Sequence, residues 1–283
     1  MNNSGVQAMR LQKSQEEREI PVLFLIGSVL AMTVLLLPVF IVVLAGLNSG
    51  DYLSFPPEGL SFRWIMEFLT SGTYLDAFLF SFQLAVLTTV VSTVVGTMAA
   101  LYISRSGNAI SRFLRNLFLA PIVLPGVVLG LSLYVFYATT EIGLVRSFTG
   151  LLIGHVIVTF PFVVATVTAS LAGFDMSLEE AARSLGAGPL TAFTKITLKI
   201  IAPGVMAGSI FAFIVSFGQF EVSLFLSAAD LEPLPIAMYV SLRYKFEPIA
   251  AAAGIFAIFL VVISMVLTSR LVNFKRLLGH SDD

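Results

Sequence analysis

The 283-residue chain has no cysteine, two histidines, one tryptophan and a charged fraction of only 12%. Each shortage excludes something. Without cysteine there is neither a disulfide frame nor a thiolate metal site. His155 and His280 stand too far apart to begin a histidine cluster of the kind that holds zinc. No G-x-x-x-x-G-K-[ST] run occurs, so the chain cannot cradle and hydrolyse ATP by the P-loop route. No serine, histidine and acid fall together on facing surfaces, so no catalytic residue is assigned. A net charge of −1 gives no electrostatic footprint for nucleic acid. A globular domain in water carries about a quarter of its residues as charges. Half that value, in a chain that is 57% hydrophobic, leaves too little polar surface to face water all round. The solvent for most of this surface is therefore lipid.

What is present is a set of long apolar runs. A hydrocarbon core about 30 Å thick takes about 20 helical residues, and backbone groups in lipid must be satisfied within the segment, which selects helix. Runs at 22–47, 75–103, 114–138, 151–171, 204–227 and 249–271 predict an all-α transmembrane domain of six spanning helices covering 1–283. They show none of the alternation of a barrel strand. The first is about twice as long as a signal-peptide core, so it reads as a retained span.

Orientation follows from the basic residues. With the N-terminus inside, the inner segments hold Arg10, Lys13, Arg18, Arg105, Arg112, Arg115, Arg183, Lys195, Lys199, Arg270, Lys275 and Arg276, against Arg63, Arg146, Arg243 and Lys245 outside. This bias, in short loops, predicts cytoplasmic termini, with 1–21, 172–203 and 272–283 on the inner side. Outside, the 48–74 segment reads as an interfacial stretch with Trp64 as an aromatic anchor. The 228–248 segment, with Pro233, Pro235 and the apolar piece 236–242, is expected to dip back towards the membrane. Gly96, Gly126, Gly130 and Gly154 read as places where helices pack closely. His155, near the outer end of its helix, reads as hydrogen-bonded packing.

The inner loop AGFDMSLEEAARSLGAGPLTAFTKITLKIIAP, residues 172–203, is the most informative segment. Ser177 and Glu180 have capping-box spacing. Leu178, Ala181, Ala182 and Leu185 recur at i, i+3, i+4 and i+7, an apolar stripe on one face. Gly186 stands where a left-handed residue ends a helix, and Pro189 opens a second helix. The pattern is a short amphipathic helix, a sharp turn, and a helix leading into the membrane. Such a helix either lies on the headgroups or docks into a partner.

The run Glu180-Ala181-Ala182, with Gly186 four residues on and nine residues between Gly186 and Ile196, resembles the EAA signature of type I ABC importer permeases. Lys199 stands where that family usually has proline, and Pro203 lies further on. The six-span layout extends the resemblance over nearly the whole chain. Segments 119–125, 155–162 and 234–242 are similar to the spermidine/putrescine permeases. The resemblance implies that Glu180, Ala181, Ala182, Leu185 and Gly186 contact an ATP-binding cassette subunit dimer. ATP and Mg would belong to that partner and no cofactor to this chain. It further implies a second, homologous but non-identical permease, an extracytoplasmic solute-binding protein, and a place in the bacterial inner membrane.

The fifth span reads Phe217-Gly218-Gln219-Phe220-Glu221 in its outer half. An ionisable residue inside a span is a functional candidate. Glu221 would attract a cation, and Phe217 and Phe220 would offer aromatic faces to an amine, with Gln219 beside them. The alternative is a wet or paired carboxylate at the helix end. Polyamine permeases tend to carry adjacent acids where Gly218 and Gln219 stand here. A singly charged amine, a quaternary ammonium or an amine-bearing acid is therefore expected beside a polyamine as substrate. The competing function, a stand-alone secondary transporter or channel, would call for several ionisable residues or discontinuous helices near the midplane. Little beyond Glu221 suggests them.

Overall fold

The computed structural model describes residues 22–278, with side chains over 24–267. The basic residues 10, 13, 18, 270, 275 and 276, and His280, lie outside the described side chains. The helices are α1 Val22–Gly46, α2 Arg63–Thr70, α3 Gly72–Arg105, α4 Ala109–Val123, α5 Gly126–Thr140, α6 Phe148–Leu171, α7 Ser177–Ser184 and α8 Pro189–Ala192. A π-turn, Phe193–Thr197, joins α8 to α9 Leu198–Phe217, and α10 Glu221–Leu226, α11 Leu234–Tyr244 and α12 Ile249–Leu278 follow. Among the described residues no strand forms, only the isolated bridges Asn48–Leu60 and Ala228–Leu231.

Small residues set the core. Gly96 of α3 lies so close to α6 that an added Cβ would stand 2.8 Å from Val163 Cβ. Ala100 shares a buried cluster with Val167, one turn further along both helices, so α3 and α6 run parallel. Helix α9 runs antiparallel to α6, with Gly208 against Val163 and Gly204 against Thr166 and Ser170. Hydroxyl pairs bind the trio: Ser92 to Thr159 at 2.7 Å and Thr93 to Ser209 at 2.9 Å. This is the small-residue and hydroxyl packing available where lipid removes the hydrophobic drive between helices. Helix α1 touches the bundle only towards its C-terminal end, where Gly46 meets Ala252 and Ile255 of α12. Most of its length is exposed apolar surface.

These directions fix the path. Helices α3 and α6 both run towards the end that carries α7, so α4 and α5 together carry the chain back across once. Five helices are long and apolar enough to span, and the α4–α5 pair, bent by 108°, makes the sixth crossing. The starts of α1 and α7 and the far end of α12 therefore share one end of the bundle.

Three expectations need correction. The run 114–138 is not one helix. Leu124 precedes Pro125, and the proline ring drives its neighbour out of the α region; Leu124 is extended at φ −76°, ψ 135° and the chain turns there. The run 204–227 is likewise two helices, interrupted at Gly218–Phe220. Trp64 is not a lipid-facing anchor: it is buried in the cap at the end of the bundle opposite α7, and its Nε1 donates to the Gly50 carbonyl at 3.0 Å. The 228–248 segment does dip inward, for the Leu234 N–H donates to Ser81 Oγ, more than two turns inside α3, at 2.7 Å.

Candidate functional site: a latched helix and two broken spans

The helix α7 begins without the capping box. Ser177 makes no side-chain cap, and the Asp175 carboxylate instead accepts the Ser177 N–H at 2.9 Å. That bond holds the exposed Asp175 carboxyl below its ordinary pKa. At the other end Gly186 is left-handed, φ +91°. The Ala187 N–H donates to the Ala182 carbonyl at 3.1 Å and the Gly186 N–H to that of Arg183 at 3.0 Å, which is the Schellman closure.

One face of α7 is fixed by a residue the sequence did not single out. Glu179, 8% exposed, accepts from Arg105 Nη2 at the end of α3 and from Thr197 Oγ1 in the π-turn, both at 2.6 Å on the same carboxylate oxygen. A single acid thus ties α7 to two spans. The opposite face carries the stripe outward: Leu178 is 48% and Leu185 89% exposed, Glu180 and Ala181 are exposed, and only Ala182 is half-buried.

The second region lies in the half of the bundle away from α7, where the two broken spans meet. An added Cβ on Gly126, first residue of α5, would stand 3.0 Å from Glu221 Cβ, and one on Gly130 would stand 3.0 Å from the Glu221 carbonyl. The break after α4 therefore packs on the break before α10. His155, 1% exposed, bridges the second break: Nδ1 lies 2.9 Å from Ser216 Oγ in α9 and Nε2 2.9 Å from Ser223 Oγ in α10. Irregular backbone at this depth persists only where protein encloses it or it lines a cavity. Discontinuous spans, not expected from the sequence, are thus a central feature.

The predicted pathway residues divide. Glu221 is exposed at the start of α10, beside Gly126. Gln219 is buried, and its carbonyl accepts from Ser223 Oγ at 2.7 Å. Phe217 is buried, edge-on to Phe78 with ring centres 5.5 Å apart. Phe220 lies tilted on Tyr239, with centres 5.2 Å apart. Phe217 and Phe220 line one face of a groove of about 410 Å³ against Met238 and Tyr239 of α11; Glu221 is not in that lining. No group of acids and histidines among the described residues is arranged to hold a metal ion.

Residues 92–276 match the model of the binding-protein-dependent transport system inner membrane component family. The spermidine/putrescine transport system permease protein PotC of Escherichia coli is 28% identical over 88% of this chain and 93% of its own. The putrescine transport system permease protein PotI of the same organism is 29% identical over 77% and 79%. The molybdenum transport system permease protein ModB of Mycobacterium bovis is 30% identical over 69% and 78%. The same fold occurs in a bacterial alginate ABC transporter in complex with its alginate pentasaccharide-bound periplasmic protein, with a TM-score of 0.64 at 16% identity over 93% of this chain and 96% of that one. With six crossings, a latched helix outside the spans and this match over most of its length, the chain belongs to the family of inner membrane components of binding-protein-dependent transport systems, the permeases of ABC importers.

Proposed function

We propose that this permease forms half of a translocation path for a small cationic amine and that α7 docks into an ATP-binding cassette subunit. The observation that carries the docking is the orientation of α7: Glu179 holds one face to the bundle, and Leu178 and Leu185 face away from it. Leucines at that exposure on a polar loop are stabilised by a partner that covers them. The α7 end is the cytoplasmic end, as the basic residues indicate, and the ATP and Mg reside on the partner. A second, homologous permease covers exposed apolar surface of this one. A solute-binding protein engages the outer segments 48–74 and 228–248. Closure of the ATPases moves α7, and Glu179 transmits that motion to α3 and the π-turn ahead of α9, opening the path alternately to each side.

Substrate recognition rests on Glu221. A carboxylate at the junction of two broken spans lies where transport proteins place their binding groups. The relatives named for spermidine and putrescine cover more of the chain than the one named for molybdenum. Glu221→Gln is expected to lower uptake of a cationic substrate about tenfold while the subunits still co-purify. Unchanged uptake of radiolabelled amines in vesicles would refute a pathway role for this residue.

The turn after α7 offers a separate test. A Cβ at Gly186 meets nothing within 4 Å, so only the left-handed backbone resists substitution. Gly186→Val should strain the turn by about 1–2 kcal/mol and lower substrate-stimulated ATP hydrolysis several-fold. Gly186→Asn, tolerant of this conformation, should keep most of it. Equal activities in the two variants would mean that the turn does not position the docking helix.

A further inference from the structure

At the end of the bundle opposite α7, residues of α2, the starts of α3 and α12, and α11 line a half-open cavity of about 260 Å³. Its wall carries three carboxylates, Glu67, Glu232 and Glu247, and one cation, Lys245, whose Nζ stands 4.0 Å from Glu247 Oε2. No cation lies within ion-pair distance of Glu67 or Glu232 among the described residues. Glu232 is half-buried, and burial pushes its carboxyl above the ordinary range. Such a shift is what desolvation does to an acid without a counter-charge.

Ser241 forms part of the same wall. It is 2% exposed, and its hydroxyl is buried without a hydrogen-bond partner. The hydroxyls of Thr88, Thr97 and Thr168 are likewise buried without a partner, whereas Ser209 closes onto the Val205 carbonyl four residues back and Ser223 onto that of Gln219. Ser241 does not. A buried hydroxyl left unmade costs free energy that a ligand can recover.

The carboxylates are too dispersed to hold a metal ion. An ammonium group, with three donors and no acceptor, suits acceptors spread around a cavity, and Ala237, Val240 and Ile249 give an alkyl stem an apolar wall. We propose that this cavity binds a primary ammonium group on an alkyl stem, with Glu232 and Glu67 as counter-charges and Ser241 Oγ as a further acceptor. The site is distinct from the junction at Glu221, which is absent from its lining. The ammonium arrives either as a free alkylamine or as a lysine of the protein that docks on this face.

The test uses the complete importer in lipid nanodiscs with n-butylammonium as probe, and then the binding protein itself. If the ligand is a free amine, n-butylammonium binds to the complex without the binding protein, tetramethylammonium, which has no N–H, does not, and Glu232→Gln and Ser241→Ala each weaken binding about tenfold. The comparison is repeated in a Glu221→Gln background, which removes the carboxylate of the path, and the tenfold loss on Glu232→Gln persists there, which separates this cavity from the translocation path. If the ligand is a lysine, n-butylammonium does not bind, and the same two variants weaken docking of the binding protein by a similar factor. Glu67→Gln, on an exposed position of α2, repeats the test should Glu232→Gln fail to fold. Variants that alter neither measurement overturn the proposal.

Discussion

Glu179→Ala is expected to leave the complex assembled and able to hydrolyse ATP while transport per ATP falls about tenfold. The substitution removes both bonds of one carboxylate oxygen at once, to Arg105 and to Thr197. Breaking a fully buried ion pair from one side costs about 3–5 kcal/mol. Arg105 remains 33% exposed and regains water, which lowers the local loss to about 1–2 kcal/mol. A loss of that size shifts the population of α7 held against the bundle about tenfold. The chain would stay folded, because the latch lies outside the α3–α6–α9 core. The measurement is uptake and ATP hydrolysis on the same proteoliposomes. A double-mutant cycle with Arg105→Ala should be strongly non-additive, since either change already breaks the pair. Additive losses, or an unaltered transport-to-hydrolysis ratio in Glu179→Ala, would show that the latch plays no part in coupling.

A large effect on stability is expected at Gly208. A Cβ there would stand 2.9 Å from Val163 Cα, a backbone atom that cannot swing aside, and 2.5 Å from Thr166 Oγ1. Even Gly208→Ala pushes α9 away from α6 and should cost about 1–3 kcal/mol by overpacking. Gly208→Leu should prevent recovery of folded protein. The control is Gly27 on α1, where a Cβ meets nothing within 4 Å; Gly27→Leu should match the parent protein in thermal midpoint. A folded Gly208→Leu protein with an unchanged midpoint would contradict the close α6–α9 packing on which the helix directions rest.

The spans were legible because lipid imposes one requirement on every residue of a run, and a run of about twenty satisfies it visibly. The turn at Gly186 was legible for a related reason, since a left-handed backbone selects glycine. The breaks were harder. The signal for the first was present, as Pro125 alone stops a helix at Leu124, but the hydropathy on both sides is unbroken and masks it. The second, at Gly218–Phe220, has no proline. It is fixed by the packing of α10 on Gly130 and Gly154 and by the His155 bridge, all long-range contacts. Glu179 was hidden for the same reason. Beside Glu180 it looks like one of two acids in a first helical turn, and its partner Arg105 lies 74 residues away. Trp64 was misjudged because an aromatic near a membrane boundary fits an anchor and a cap core equally well; the 50–64 hydrogen bond decides it.

Docking of α7 on an ATP-binding subunit can be tested directly, because the chain has no cysteine. Leu185→Cys places a single thiol on the exposed face of α7, and Tyr52→Cys, also exposed, places one at the opposite end of the bundle. Each is treated with a thiol-to-amine cross-linker in native membranes, and the captured protein is identified by mass spectrometry. Position 185 is expected to capture a P-loop ATPase and position 52 is not. Failure to capture it from position 185, or equal capture from both positions, would contradict the docking of α7.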